Sequence, residues 1–204
     1  MPALVLALTV TLVLAVPSAG QDAKHVGKTL AAWQSELQSA RQVDRMLAAR
    51  AIGEMAIANQ AGTSKALVQA LSHDDSAVRY WGAVAAAELD RPLEVGRAVL
   101  EGLLEDEAPE VRIQAAVALI RAGDAQKALK TLEESLRHRN RGVRLHAAHA
   151  ADAIGDSAKP LASALQAAVE DDFDYVQRVA RHALWALGER TCPYRTCEET
   201  EQGR

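Results

Sequence analysis

The chain has 204 residues, a net charge of −4, 49% hydrophobic residues and only 3% aromatic ones. A β-sandwich or barrel core leans on aromatic and β-branched side chains, so this composition excludes those classes. Alanine and leucine dominate instead, the strongest helix formers, and the expected class is all-α. Charges of both signs are mixed along the chain, which excludes a general nucleic-acid binder with its clustered basic face.

Residues 1–20 differ from the rest. The run "LVLALTVTLVLAV" from Leu4 to Val16 carries no charge and is followed by "PSAG". Thirteen residues are too few for a comfortable membrane span of roughly 20. They suit the apolar core of a signal peptide, with Ser18 and Gly20 at the positions cleavage requires and Gln21 as the new terminus. The basic leading segment of such signals is missing, so an uncleaved anchor and a buried helix are the alternatives. Export to the periplasm or cell envelope is the expectation, with no transmembrane span in the mature chain.

From there the chain is repetitive. "VRYWGAVAAAELD" from Val78, "VRIQAAVALIRAG" from Val111, "VRLHAAHAADAIG" from Val143 and "VQRVARHALWALG" from Val176 recur at intervals of 33, 32 and 33 residues. A weaker copy, "DRMLAARAIGEM", starts at Asp44, making five units. Counting the Val as zero, offsets 0, +4, +7, +8 and +11 are almost all apolar and fall on one stripe of a helix. Gly123, Gly155 and Gly188 occupy offset +12, where a helix ends on positive φ. A second apolar stretch precedes each, as in "SKALVQALS" and "AQKALKTLEESL". Small residues at +4 permit close helix approach. One helical hairpin cannot bury both flanks, so successive hairpins must stack into an elongated solenoid.

These residues resemble HEAT repeats of the short bacterial type, like those of phycobilisome lyase-like (PBS lyase) proteins. The period, the acidic turn before Val-Arg, and the Ala-Ala run closing on Leu/Ile-Gly carry the likeness over about residues 27–190. "DRMLAARAIGEM", "DDSAVRYWGAV" and "VRLHAAHAADAIGD" are most similar to the HEAT arrays that follow bacterial sulfatase domains. The catalytic sulfatase motif is absent, so the resemblance implies a fold and no activity. It also implies a ladder in which the arginine after the Val pairs with an acid of the preceding turn. Arg79, Arg112 and Arg144 match that arginine. The acids at −4 are Asp74, Glu107 and Asp172, with Arg139 breaking the pattern in the fourth unit.

In such arrays the second helix of each hairpin lines the concave side. Offsets +2, +6 and +9 then point into a groove: Tyr80, Val84 and Ala87; Ile113, Val117 and Ile120; Leu145, His149 and Asp152; Arg178, His182 and Trp185. Lateral packing between repeats and an apolar protein-binding groove are the competing readings, and polarity rises toward the C-terminus. The partner-binding candidates are Tyr80, Val84, Ile113, Val117, Leu145, His149, His182 and Trp185. His146, His149, His182 and Asp152 do not form a metal motif on one helix.

The turn "LRHRNRGVR" offers Arg137, Arg139 and Arg141 as an anion site for an acidic or sulfated ligand, because a guanidinium donates two parallel bonds to such groups. Cross-turn pairing with "EDE" at 105–107 and "EDD" at 170–172 is the alternative. Cys192 and Cys197 are the only cysteines and would form a disulfide in an exported chain. No GxSxG, GxxxxGK[ST] or GxGxxG occurs, and nothing requires a cofactor or a metal. The expectation is a signal peptide over 1–20, a HEAT-like domain over 21–190 and a tail over 191–204. It would be a non-enzymatic exported adaptor for another protein, with an enzyme-accessory module (sulfatase-, lyase- or chaperone-related) or a sulfated-glycan binder as alternatives.

Overall fold

The computed structural model describes residues 24–90 and 96–189. The expected signal peptide and the Cys192–Cys197 pair lie outside the described residues. A hairpin of two two-residue strands, β1 (Lys24–His25) and β2 (Lys28–Thr29), comes first. Its turn uses Val26 and Gly27 at positive φ. The carbonyl of His25 accepts a 3.0 Å bond from the buried Trp33 indole, which fastens this small cap to the first helix.

Ten helices follow as five hairpins: α1 (Leu30–Glu36) with α2 (Gln42–Ile57), α3 (Thr63–Leu71) with α4 (Ser76–Ala87), α5 (Arg97–Gly102) with α6 (Pro109–Arg121), α7 (Ala125–Leu136) with α8 (Arg141–Ala153), and α9 (Ala162–Ala168) with α10 (Asp174–Ala186). Short 3₁₀ turns extend α5 at Leu103–Glu105 and lead into α9 at Gly155–Leu161. The protein is thus an all-α solenoid, as the repeat period predicts. Gly123, Gly155 and Gly188 all have positive φ at the ends of second helices.

The core stripe is where the periodicity places it. Val78, Val111, Val143 and Val176 are buried, with Ala115, Ala147 and Ala180 beneath them. Gly82 shows why offset +4 must be small: a Cβ there would come within 3.1 Å of the Leu71 amide nitrogen. Second helices pack on one another in sequence, α2 on α4, α4 on α6, α6 on α8 and α8 on α10. One continuous apolar core therefore runs from Trp33 to Leu184.

A ladder of arginines joins the turns, but it runs opposite to the expected direction. Arg79 donates through Nε and Nη2 to the Asp106 carboxylate of the following repeat, at 2.7 and 3.0 Å. The preceding turn supplies only carbonyls, His73 O and Asp74 O, for its Nη1. Arg144 repeats this with Asp171 at 2.6 and 2.9 Å, and Arg45 with Asp75 at 3.1 and 2.6 Å. The first rung is built on the weak repeat copy at Asp44, which the resemblance did not assign. A guanidinium has five donors, so one edge can satisfy its own turn while the other reaches forward. Asp106 and Asp75 are buried enough that desolvation alone would raise them. Bonds from Arg79 and Arg45 and from the local backbone outweigh this and hold both below the ordinary carboxylate range. Asp171 is lowered chiefly by the Arg144 bond.

Candidate protein-interaction surface

The second helices pack side by side in one layer that bends enough for side chains of α4 and α8 to meet across α6. The clearest sign is contact across α6 between its two neighbours. The Tyr80 ring on α4 and the His146 ring on α8 stand 5.9 Å apart. At the other end of the same helix, Arg121 donates to the Ala87 carbonyl at 2.8 Å and to the Ala153 carbonyl at 3.4 Å, tying the C-termini of α4 and α8 together.

This curvature corrects part of the expected groove. Ile113 and Val117 are 0% and 3% exposed, and Ile120 and Ala87 are also buried. Ile113, Val117 and Ile120 are lateral core, packed where α6 lies between α4 and α8, and no partner can reach Ile113 or Val117. Tyr80, Val84 and Leu145 remain partly exposed, and His149 is exposed. On α10, the half-exposed His182 bonds Asp152 at 2.7 Å and packs its ring 5.5 Å from Trp185. The rise in polarity toward the C-terminus is present in the structure: Asp152 and His182 occupy positions where α4 carries apolar residues.

The open apolar surface centres on the N-terminal half instead. A cavity of about 470 Å³ lies between α2, α4, α6 and α8, lined mainly by Met46, Tyr80, Trp81, Val111, Glu110 and His146. Tyr80 and Trp81 meet edge to face at 5.6 Å. The Arg50 guanidinium lies 5.5 Å from the Trp81 ring centre and also bonds Glu54 at 2.9 Å. Beside the cavity, the same face of α2 presents Val43 and Leu47, 57% and 53% exposed. Side chains at i, i+3, i+4 and i+7 share one helix face, so Val43, Met46, Leu47 and Arg50 form one strip. Isolated exposed apolar residues are ordinary, but a strip continuous with an aromatic-lined cavity marks a contact surface.

Two polar groups, Glu110 and His146, share the cavity lining with these apolar side chains. The Gln114 amide nitrogen stands 2.7 Å from His146 Nε2. An amide N–H only donates, so the ring nitrogen accepts and the imidazole carries no charge there. Burial lowers the His146 pKa; Glu110 opposes it more weakly, and His149 adds a still smaller lowering. Burial, and then Glu110, likewise raise the Tyr80 phenol.

Sequence reasoning missed Trp81, Met46, Leu47 and Val43. Trp81 sits at offset +3, one position past the expected groove set. The strip on α2 falls in the degenerate first repeat, but its i, i+4 pattern of exposed-size apolar residues was a usable signal.

The arginine turn does not converge as expected. Arg137 turns back to Glu133 of its own helix at 2.8 Å. Arg141 stacks 4.8 Å from the Phe173 ring centre. Arg144 reaches Asp171 and Asp172, which is the cross-turn pairing with the acidic neighbour. Arg139 and Arg141 are both exposed and neither makes an ion pair among the described residues, but Arg141 is held on the Phe173 ring. The three therefore do not form one anion site.

Stacked helical hairpins with a curved inner layer define an α-solenoid repeat protein. Residues 96–188 match the family model for HEAT repeats. Among solved structures the chain is similar to two engineered proteins from the Northeast Structural Genomics Consortium, each at 25% identity and a TM-score of 0.55. These likenesses cover 78% and 77% of this chain and 79% and 80% of the engineered ones. A third engineered protein from the same source is similar at 24% identity and a TM-score of 0.50, over 78% of this chain and 47% of its own. No curated protein matches the sequence. Folds of this kind are generally non-catalytic and serve as interaction modules.

Proposed function

We propose that the protein is an exported, non-enzymatic scaffold that binds another protein through the inner face of its N-terminal half. The observation that carries this is the strip of Val43, Leu47 and Tyr80 running into the aromatic cavity, apolar area that no other part of the described chain covers. Tyr and Trp at the centre of such a surface supply large contact area with few rotamers to fix. The uncharged run from Leu4 to Val16 supports export.

The test is capture from a cell-envelope fraction with wild-type chain and with Leu47→Glu or Val43→Glu. Both side chains are more than half exposed, so these changes should leave helicity and stability intact. A protein retained by the wild type and lost by both variants supports the reading. Equal retention by wild type and variants refutes it.

A further inference from the structure

The ladder has one missing rung, and its geometry points to an anion-binding site. Each complete rung has the same three parts. The arginine's Nη1 is held by two carbonyls of its own turn. The aspartate's Oδ1 accepts a backbone N–H two residues on: Ala77 for Asp75, Ala108 for Asp106, Phe173 for Asp171. The remaining oxygen, Oδ2, accepts from the arginine's Nε.

At the junction of α6 and α8 the first two parts are intact. Arg112 Nη1 donates to Asp106 O at 2.7 Å and Glu107 O at 3.4 Å. Asn140 Oδ1 accepts from the Gly142 N–H at 2.8 Å. The third part is inverted, because asparagine carries an amide nitrogen where the others carry Oδ2. By correspondence with the complete rungs, Nε and Nη2 of Arg112 and Nδ2 of Asn140 are donors at a place where the other rungs supply a carboxylate, and such a set is satisfied only by an acceptor from outside. Arg112 makes no ion pair among the described residues.

The flanking charges follow the same change. "HDDSAVR" at His73 and "HRNRGVR" at His138 are corresponding turns, in which His73 and His138 each accept a backbone N–H through Nδ1. Asp74, Asp75 and Ser76 of the one become Arg139, Asn140 and Arg141 of the other. Two acids are lost and two arginines gained at the one junction where Arg112 lacks a carboxylate. Glu105 and Glu134 line a cavity with Arg112 on the first-helix side. Glu134 is 3.7 Å from Lys130.

We propose that this turn binds a carboxylate from an acidic segment of a protein partner, which supplies the absent rung. A carboxylate is favoured because the three complete rungs show that group in the same setting, bidentate on Nε and Nη2. The inference shares with the scaffold reading only the premise that the partner is a protein, and it uses a different surface.

The experiment is a titration of the full chain with a short peptide of consecutive glutamates, followed by NMR at the arginine Nε–H resonances. The Arg112 signal should shift saturably while those of Arg45, Arg79 and Arg144, already paired, stay in place. Asn140→Asp should weaken the binding by about tenfold or more, since it fills the rung internally, and should raise the melting temperature without ligand. Arg139→Glu should weaken it as well. The Leu47→Glu variant should bind the peptide as the wild type does, which separates failure here from failure of the inner-face reading. An unmoved Arg112 signal, or equal binding by Asn140→Asp, overturns the proposal. So does saturation by sulfate or acetate that the peptide cannot displace, which would make this a small-anion site.

Discussion

Gly53→Ala puts a number on how closely the second helices pack. Gly53 lies inside α2 against α4, and an alanine Cβ built there would stand 2.5 Å from the Cβ of Ala85. Neither atom is the end of a flexible side chain, so the two backbones must separate. Overpacking of this kind costs about 1–3 kcal/mol. Removing glycine from a helix interior returns up to about 1 kcal/mol. The net expectation is a loss of about 1–2 kcal/mol. Gly102→Ala is the matched control, because that residue has helical φ and ψ of −63° and −35° and nothing within 4 Å of the new Cβ. It should stabilise by about 0.4–1 kcal/mol through the unfolded chain. Urea denaturation followed by circular dichroism reads both. Ala85→Gly added to Gly53→Ala should recover more than half the loss, since it removes the clashing methyl group. If Gly53→Ala is as stable as the wild type, or if Ala85→Gly gives no recovery, the close helix approach is not as described.

The ladder, the core and the titrating groups give further expectations. Asp106→Asn should destabilise by about 3 kcal/mol, because it leaves the Arg79 guanidinium, with a side chain 11% exposed, only the solvent-exposed Glu107 carboxylate at 3.5 Å as counter-ion; the same urea assay checks this. Leu184→Ala, fully buried between α10 and its neighbours, should cost about 2–5 kcal/mol. Stability should fall in two stages on acidification. The lowered pKa of His146 means that the unfolded chain takes up its proton first, near pH ~6.5, while the folded chain resists. Its contribution is therefore complete above that value and declines below it, and His146→Gln should remove this first slope. Asp75, Asp106 and Asp171 are also lowered in the fold. Their contribution is present above about pH 3.9, the unfolded value, and is lost as pH falls further through the folded ones. Thermal melts across that range resolve both stages.

Particular residues show how much of this was legible in the sequence and how much was not. The stripe Val143, Ala147, Ala150, Ala151 and Ile154, closed by Gly155, specifies a helix, its buried face and its end. Those features depend on the spacing of residues along one helix, and a linear pattern reports such spacing directly. The arginine after each Val likewise marked the ladder. Its direction stayed hidden, because Asp74 and Asp106 are equally plausible partners for Arg79 until the turns are placed in space. Ile113 and Tyr80 occupy the same offset in their repeats, yet one is core and the other opens onto a cavity. What separates them is what lies beside each: Ile113 is packed where α6 lies between α4 and α8, whereas Tyr80 lines the cavity next to the α2 strip. Such packing depends on helix-to-helix distances, like the approach of Gly53 to Ala85 and of Gly82 to Leu71, and these are properties of pairs of helices. The same holds for Arg112. Asn140 is visible in the sequence, but only the stacking of the next turn shows that the amide falls to Arg112 and not to Arg144, which follows it in the chain.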